Sequence, residues 1–564
     1  MTVELKERVD VGQILQERFP SCVVKSEEFR GDLAVTVRRD GLLEVVSFLK
    51  NEPQLDFDLL LDICGVDRLG RSPRFDCVYH LRSLSKRRLI RLKVPLDEND
   101  PEVSSITSVW KGANWFERET YDLFGLKFKG HPNLRRILTH EDFKGHALRK
   151  DYPADRRHPL ARTTDALTTW PESVGEHPER MVVNIGPSHP ATHGTLRIQA
   201  VIEGETVVES DSEIGYLHRC FEKMAENHTY AQIVAYTDRL NYCSSFMNNA
   251  GFALAVEKLL DIQVPERIRL IRVILSELTR IMDHLVAIAA NLVDLGAITN
   301  FWYFFRPREE IYDLLEACCG ARLTVNYARI GGFPLDVPES FVEMVNEILR
   351  RLPRFIDDVD RLNTKNRIFQ GRTRNIGVMK KEDAIEWGFT GPCLRASGVE
   401  YDVRKAHPYL DYESFDFVVP VGTNGDIYDR IAVRMEEMRQ SMRIVKQAMK
   451  RFGSGPYKID EKTISLPEKD KAYSDIESLI NHFKLVMEGI TPPSGEVYSY
   501  TEAANGELGF YLISDGGPKP YRLKVRPPCF PIFQGMNEML KGTLVADSIA
   551  ILASLNIIAG ELDR

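Results

Sequence analysis

The sequence predicts an α+β protein of two domains: a small N-terminal α+β domain, a linker, and a larger, mainly helical domain that also carries small β-sheets. Three observations lead there. The chain has 564 residues, more than the roughly 250–300 at which single hydrophobic cores stop growing. Short alternating segments and long apolar stripes of helical period occur in different parts of it. Between about Ala154 and Arg180 the composition shifts to Thr, Arg, His, Glu and Pro with no sustained apolar period, the signature of a linker. The expected domains are therefore 1–153 and 181–564, joined by 154–180.

The elements follow in order. Leu33–Val37, Phe75–Leu81 and Leu89–Val94 alternate in the β manner, and Leu42–Leu49 reads as a short amphipathic helix. Asn114 with Glu117 three residues on has capping-box spacing and predicts a helix start. The second segment opens with strands at Met181–Ile185 and Leu196–Ile202. From Pro265, a residue suited to a first helical turn, Ile268, Ile271, Leu275, Leu278, Met282, Leu285, Ala289 and Leu292 recur at steps of three and four, a buried helical stripe. A second long helix is expected from about Asp426 to Arg451, its methionines facing a helix–helix core. Strands return at Glu496–Tyr500, Leu508–Ile513 and Tyr521–Val525, and a helix closes the pattern near Leu544–Leu555.

Composition narrows the function classes. Hydrophobic residues are 43% and charged residues 28%, an ordinary globular balance. The net charge of -8 lacks the basic excess of a dedicated nucleic-acid binder. The apolar runs Leu285–Ile298 and Leu544–Gly560 are cut by Asp294 and Asp547 and fall short of the roughly 18–20 residues of a membrane span. No signal peptide is expected from the first residues. The nine cysteines are scattered, without a Cys-X-X-Cys pair. That fits a reducing compartment and predicts that the chain holds no iron–sulfur cluster or zinc of its own.

The most unusual stretch is GPSHPATHG (186–194). His189 and His193 have the spacing of a helical metal pair, but Pro190 between them and the surrounding glycines favour a turn between strands. There the imidazoles either face a ligand or tie the loop to itself. In YTDRLNY (236–242), Asp238 and Arg239 are expected to form a structural ion pair, and Tyr242 is either packing or a phenol donor at a cavity. Asp294, just beyond the long stripe, is either a solvated helix end or the partner of a cation. Gly331-Gly332 and Gly516-Gly517 match neither a dinucleotide-binding nor a phosphate-binding loop.

Several motifs resemble one family. ERETYDLFGLKFKGHPNLRRILTHEDFKGHALRKDYP (117–153) closely resembles the signature of the C subunit of NADH-quinone oxidoreductase, respiratory complex I. GPSHPATHG (186–194), GYLHRCFEKMAE (215–226), YTDRLNY (236–242), AVEKLL (255–260), LSELTRIMDHL (275–285) and GELDR (560–564) resemble the D subunit. Their order is that of the fused C/D subunit found in some bacteria.

The resemblance implies a 1–153 docking domain and a 181–564 domain similar to the large subunit of nickel–iron hydrogenases, without the metal-binding cysteine pairs. It implies a quinone, ubiquinone or menaquinone, held between His193 and Tyr242, with Asp294 of DLGA (294–297) pairing His193. It implies Arg219 beside a terminal iron–sulfur cluster held by the neighbouring B subunit, membrane-arm subunits at the junction, proton translocation coupled to quinone reduction, and a peripheral position on the cytoplasmic side of the inner membrane. Three positions depart from the family pattern: Asn241 stands where Asp is usual, Thr324 where many members have His, and Pro527-Pro-Cys-Phe530 where APGF is common. The alternatives are a large subunit of a hydrogenase-related membrane complex, and a scaffold without quinone chemistry.

Overall fold

The computed structural model describes residues 10–158, 177 and 179–564. Most of the expected linker 154–180 lies outside the described residues. Contacts divide the described chain into two compact units, 10–158 with Glu386–Gly388, and the remainder.

The first unit is built on a five-stranded sheet. Its strands are β1 (Val23–Phe29), β2 (Asp32–Val37), β3 (Leu59–Asp67), β4 (Phe75–Ser83) and β5 (Arg88–Leu96), in the order β1-β2-β5-β4-β3. Only the β2–β5 pair is parallel. Every residue of β3 is buried, which explains why its apolar residues, interrupted by Asp62, do not alternate with polar ones. Helices α1 (Val11–Arg18) and α2 (Leu42–Asn51) come before β3, and α3 (Ala113–Phe124) packs on it. A parallel pair, β6 (Glu102–Ser104) and β7 (Lys127–Lys129), flanks α3 in sequence. Gly65 of β3 is obligatory here, because an added Cβ would meet the Phe124 ring at 2.6 Å. The capping box expected at Asn114 does not form. The helix begins at Ala113 after Gly112 with no side-chain cap. Glu117 turns inward instead, accepting from Ser105 Oγ at 2.7 Å and Ile106 N at 2.8 Å. Burial pushes its carboxyl up to about 8.

The second unit starts with an antiparallel sheet of β8 (Arg180–Ile185), β9 (Arg197–Glu203) and β10 (Thr206–Glu213). Helices α4 (Phe221–Asn227), α5 (Tyr230–Thr237), α6 (Ser245–Leu260), α7 (Glu266–Asp294), α8 (Ile298–Cys319) and α9 (Phe341–Asn363) follow. After several short helices come α10 (Ile427–Arg451), α11 (Lys469–Ser474) and α12 (Ile476–Met487). A second antiparallel sheet, β11 (Gly495–Ala503), β12 (Gly506–Ser514) and β13 (Arg522–Arg526), precedes α13 (Cys529–Gln534), α14 (Val545–Leu555) and α15 (Ala559–Asp563).

The central element is α7. Its apolar stripe is buried throughout, and it packs against α6, α8, α10 and α14. Pro265 sits at its N-cap, one residue ahead of the expected first turn. On α10, Met435, Met438 and Met442 are buried, so these methionines do form helix–helix core.

The core around α7 also holds charge. Glu277 accepts from Ser441 Oγ (2.6 Å), Tyr412 Oη (2.7 Å) and Arg404 Nη1 (3.0 Å). Burial pushes its carboxyl up, but Arg280, Arg404 and these hydrogen bonds prevail and hold it near 2. Arg395 bridges Glu437 (2.6 Å) and Glu502 (2.8 Å), and Glu437 also meets His284 Nε2 at 2.8 Å. Buried ions are tolerated only when partnered this fully, and removing one partner costs about 3–5 kcal/mol.

Candidate functional site

The turn between β8 and β9 carries the two histidines. It contains a single 3-10 turn, Pro190–Thr192, as the prolines and glycines require. Thr192 Oγ1 donates to Pro187 O (3.1 Å) or His189 O (2.9 Å). Gly186, at φ +84, admits no side chain: a Cβ would lie 2.5 Å from Leu196 O and 2.6 Å from Thr192 Oγ1. His189 and His193 then divide the labour. His189 Nδ1 accepts from Ala191 N at 3.2 Å, so it ties the loop to itself. His193 ends the turn in the left-handed region at φ 52. Its exposed imidazole has no hydrogen-bond partner among the described residues.

Asp294 is the last residue of α7. Lost solvation raises its pKa, and the charges of His193 and His189 pull it back down. The carboxyl therefore senses both imidazoles through space, but no hydrogen bond joins it to either one.

Tyr242 opens a 3-10 turn, Tyr242–Ser244, that leads into α6. The turn is fixed from below. Asn241 Oδ1 accepts from Cys243 N at 3.1 Å, and Asn248 Nδ2 donates to Asn241 O at 2.8 Å. Asn at 241 thus keeps the acceptor that Asp would offer, without burying a charge. Ser244 Oγ donates to Asp283 Oδ2 at 2.9 Å, which fastens the turn to the middle of α7. The tyrosine itself is 39% exposed, and its hydroxyl has no partner among the described residues. Desolvation, then the neighbouring Cys243, Asp283 and Cys529, push the phenol up to about 12, so it stays protonated and can donate. Asp283 and Asp294 lie on one helix, three turns apart, about 16 Å along its axis.

A buried polar cluster lies behind Tyr242. Asn556 Nδ2 donates to Asp283 Oδ1 at 2.8 Å, and Cys529 N donates to Glu561 Oε1 at 2.9 Å. Glu561 Oε2 has no hydrogen-bond partner among the described residues, and burial pushes this carboxyl up to about 7. Cys529, one of the departures from the family pattern, is part of this wall. Asp283 and Glu561 escape a reading of the sequence because their meeting depends on tertiary packing.

Arg219 lies elsewhere. Its loop is held by Asp563, whose carboxylate accepts from Gly215 N (3.0 Å) and Leu217 N (2.8 Å) and whose carbonyl meets His218 Nδ1 (2.7 Å). Two motifs far apart in sequence, 215–219 and 560–564, are thereby joined. Arg219 Nη2 donates to Tyr236 O at 3.2 Å and lines an open cavity of about 680 Å³ with Arg239, Arg329, His228, Gln232 and Tyr236. His193, Tyr242 and Asp294 are not in that lining. Burial and then the charge of Arg239 lower the Arg219 pKa. None of the three arginines makes an ion pair among the described residues. The expected Asp238–Arg239 pair does not form either. Asp238 turns inward to Asn249 Nδ2 (2.5 Å) and Asn326 N (3.3 Å), while Arg239 donates to Ala235 O (2.6 Å). Adjacent side chains at the end of α5 diverge to opposite environments.

Among the described residues no cluster of His, Cys, Asp and Glu could hold a metal ion, and no helix is long and apolar enough to cross a membrane.

Residues 35–158 match the family model described as respiratory-chain NADH dehydrogenase, 30 Kd subunit, and residues 294–564 match that of the 49 Kd subunit. A protein of Bdellovibrio bacteriovorus, named as the C/D subunit of NADH-quinone oxidoreductase, is 50% identical over 98% of this chain and 99% of its own. Proteins of the same name from Methylococcus capsulatus and Yersinia enterocolitica are 42% identical over 93% of both chains, and 39% identical over 98% of this chain and 96% of theirs. Both family models and near-complete coverage agree: the chain belongs to the family of fused C/D subunits of NADH-quinone oxidoreductase, respiratory complex I.

Proposed function

We propose that this protein forms the chamber in which quinone is reduced, with His193 and Tyr242 contacting the quinone headgroup. The observation that carries the reading is that both side chains present hydrogen-bonding atoms with no partner among the described residues, while each is fastened to α7 or lies beside it. A quinone has two carbonyl acceptors, and its reduction takes up two electrons and two protons to give the quinol. Two donors, one at each carbonyl, orient the ring and can supply those protons. Asp294, whose carboxylate the charge of His193 favours, lies beside that imidazole and is placed to orient it.

In the same reading the electrons come from the terminal cluster of the neighbouring B subunit. Arg219, with Arg239 and Arg329, provides the positive field that favours the added electron. Guanidinium groups in a recess, without an ion pair among the described residues, cost desolvation unless an anionic group approaches, so the cavity suits a reduced, thiolate-held cluster. Residues 1–153 serve as the docking domain, 154–180 as the linker and 181–564 as the quinone-site domain. The protein sits at the junction with the membrane-arm subunits, on the cytoplasmic side of the inner membrane. Quinone reduction there is coupled to proton translocation.

The test is labelling of the complex with a photoreactive short-chain quinone. Adducts should appear on peptides containing His193 or Tyr242 and disappear with excess quinone. Labelling confined to peptides without these residues would overturn the assignment.

A further inference from the structure

The 3-10 turn Pro190–Thr192 is capped by a histidine, where the usual capping side chains are Asn, Asp, Ser and Thr. His189 is extended (φ -134, ψ 137), and its Nδ1 accepts from Ala191 N at 3.2 Å. A backbone N–H can only donate, so Nδ1 has to offer a lone pair. The ring that caps the turn is therefore the neutral imidazole with its hydrogen on Nε2. The imidazolium carries hydrogen on both nitrogens and accepts at neither. A cap of this kind exists only while Nδ1 is unprotonated, and the imidazole of His189 is exposed to water.

The capped turn delivers His193. Thr192 N donates to His189 O at 3.1 Å and His193 N to Pro190 O at 3.3 Å, and His193 follows at φ 52. Losing the cap frees Ala191 N in the middle of this segment. Protonation also changes the local charge. Lost solvation raises the Asp294 carboxyl, and the charges of His193 and then His189 pull it back down. A charged His189 therefore shares Asp294 with His193. The other ionisable groups on the elements around the turn are matched. Helix α14 packs on the turn and brings Asp547, which pairs with Arg372 at 3.1 Å. Strand β9 brings Arg197, paired with Glu213, and β8 brings Arg180, 3.7 Å from Glu203.

We propose that His189 is a positioning residue for quinone reduction: its neutral ring caps the turn that holds His193 in place, and proton uptake at Nδ1 releases the cap and slows the reaction. This rests on the reading of His193 as a headgroup ligand given above and adds a residue that does not touch the quinone. The proton that His189 takes up comes from water and returns to it, so the stoichiometry of quinone reduction is unchanged. An N-cap bond biases its turn by roughly fivefold, and histidine is the side chain whose charge changes between about pH 5 and 8. Acidification across that range should lower quinone-reductase efficiency by about that factor through this residue.

The experiment compares the wild-type complex with His189→Ala and His189→Asn in membranes between about pH 8 and pH 5.5. The quantity read is kcat/KM for quinone divided by the rate with a water-soluble acceptor upstream at the same pH. His189→Ala removes the cap at every pH, so at pH 8 its ratio should lie roughly fivefold below the wild type. His189→Asn supplies an acceptor that does not titrate and should restore the ratio at pH 8. On acidification the wild-type ratio should fall roughly fivefold further than that of His189→Asn. Equal pH dependence in the wild type and His189→Asn overturns the proposal, as does a wild-type ratio in His189→Ala at pH 8. A second measurement needs no quinone. In the isolated full chain the amide proton resonance of Ala191 should move upfield on acidification in the wild type and stay in place in His189→Asn. A resonance that stays in place in both overturns the proposal. The two readings fail in different ways. If His193→Ala leaves quinone reduction at the wild-type level, the reading of His193 as a headgroup ligand fails. If His193→Ala abolishes quinone reduction while wild type and His189→Asn share one pH dependence, the positioning role alone is wrong.

Discussion

Replacing Glu561 by Gln should stabilise the second unit at pH 8 and leave it nearly unchanged at pH 5. Glu561 is wholly buried. Its Oε1 accepts from Cys529 N at 2.9 Å and its Oε2 has no hydrogen-bond partner among the described residues. Burial first, with a contribution from the Asp283 charge, raises the carboxyl from its ordinary 4.5 to about 7. The folded state therefore holds the proton longer than the unfolded state. Stability is greatest below pH 4.5, falls as pH rises toward 7, and is flat beyond. Linkage puts the penalty at about 3 kcal/mol at pH 8 and under about 1 kcal/mol at pH 5. Gln keeps an acceptor for Cys529 N and cannot ionise, so the variant recovers most of that penalty. For a unit of this size the gain is roughly 3–4 °C in Tm at pH 8. Thermal unfolding of the full chain, followed at both pH values, reads it. An equal shift at the two pH values, or a loss at pH 8, would refute the argument that ionisation of this carboxyl costs folding.

Three further outcomes follow from the site. Arg219→Met in the assembled complex should lower the potential of the neighbouring cluster or alter its magnetic-resonance signal, with quinone affinity retained; the opposite pattern counts against its assignment. Asp563→Ala removes the acceptor of Gly215 N and Leu217 N and should reproduce the Arg219→Met cluster effect by loosening the loop, which the same spectrum checks. Thr192→Val removes the hydroxyl that braces Pro187 O and His189 O, worth about 1 kcal/mol. The quinone-reductase kcat/KM should fall by roughly fivefold while reduction of a water-soluble acceptor upstream is unchanged.

Much of the fold was legible because apolar residues recur with the period of the element that buries them. The stripe from Ile268 to Leu292 is the buried face of α7, and Phe75–Leu81 and Leu89–Val94 are inner strands of the first sheet. Local patterns failed where tertiary contacts offered better partners. Asn114 and Glu117 have capping-box spacing, yet the glutamate is drawn inward to Ser105 and Ile106. Asp238 and Arg239 are adjacent and opposite in charge, yet one is buried and the other lies at a cavity. At the site, family motifs nominated His193, Tyr242, Asp294 and Arg219. What no local pattern carries is their surroundings: the arginines gathered around Arg219 from three segments, and the meeting of Asp283 with Glu561. The apolar period of 476–487 resembles that of any core helix, and only the structure shows that this face is exposed.

The most direct measurement of the central claim is the ratio of two activities in membranes carrying Tyr242→Phe. The substitution removes one hydroxyl and keeps the ring, so packing of the turn on α7 survives. Losing a headgroup hydrogen bond should cost on the order of 1–3 kcal/mol, roughly ten- to hundredfold in quinone-reductase efficiency. NADH oxidation by a water-soluble acceptor upstream should continue at the wild-type rate with the same amount of assembled complex, and His193→Ala should behave alike. Wild-type quinone reduction in both variants, or a fall in both activities that tracks the loss of assembled complex, would contradict the claim that these side chains act on the quinone.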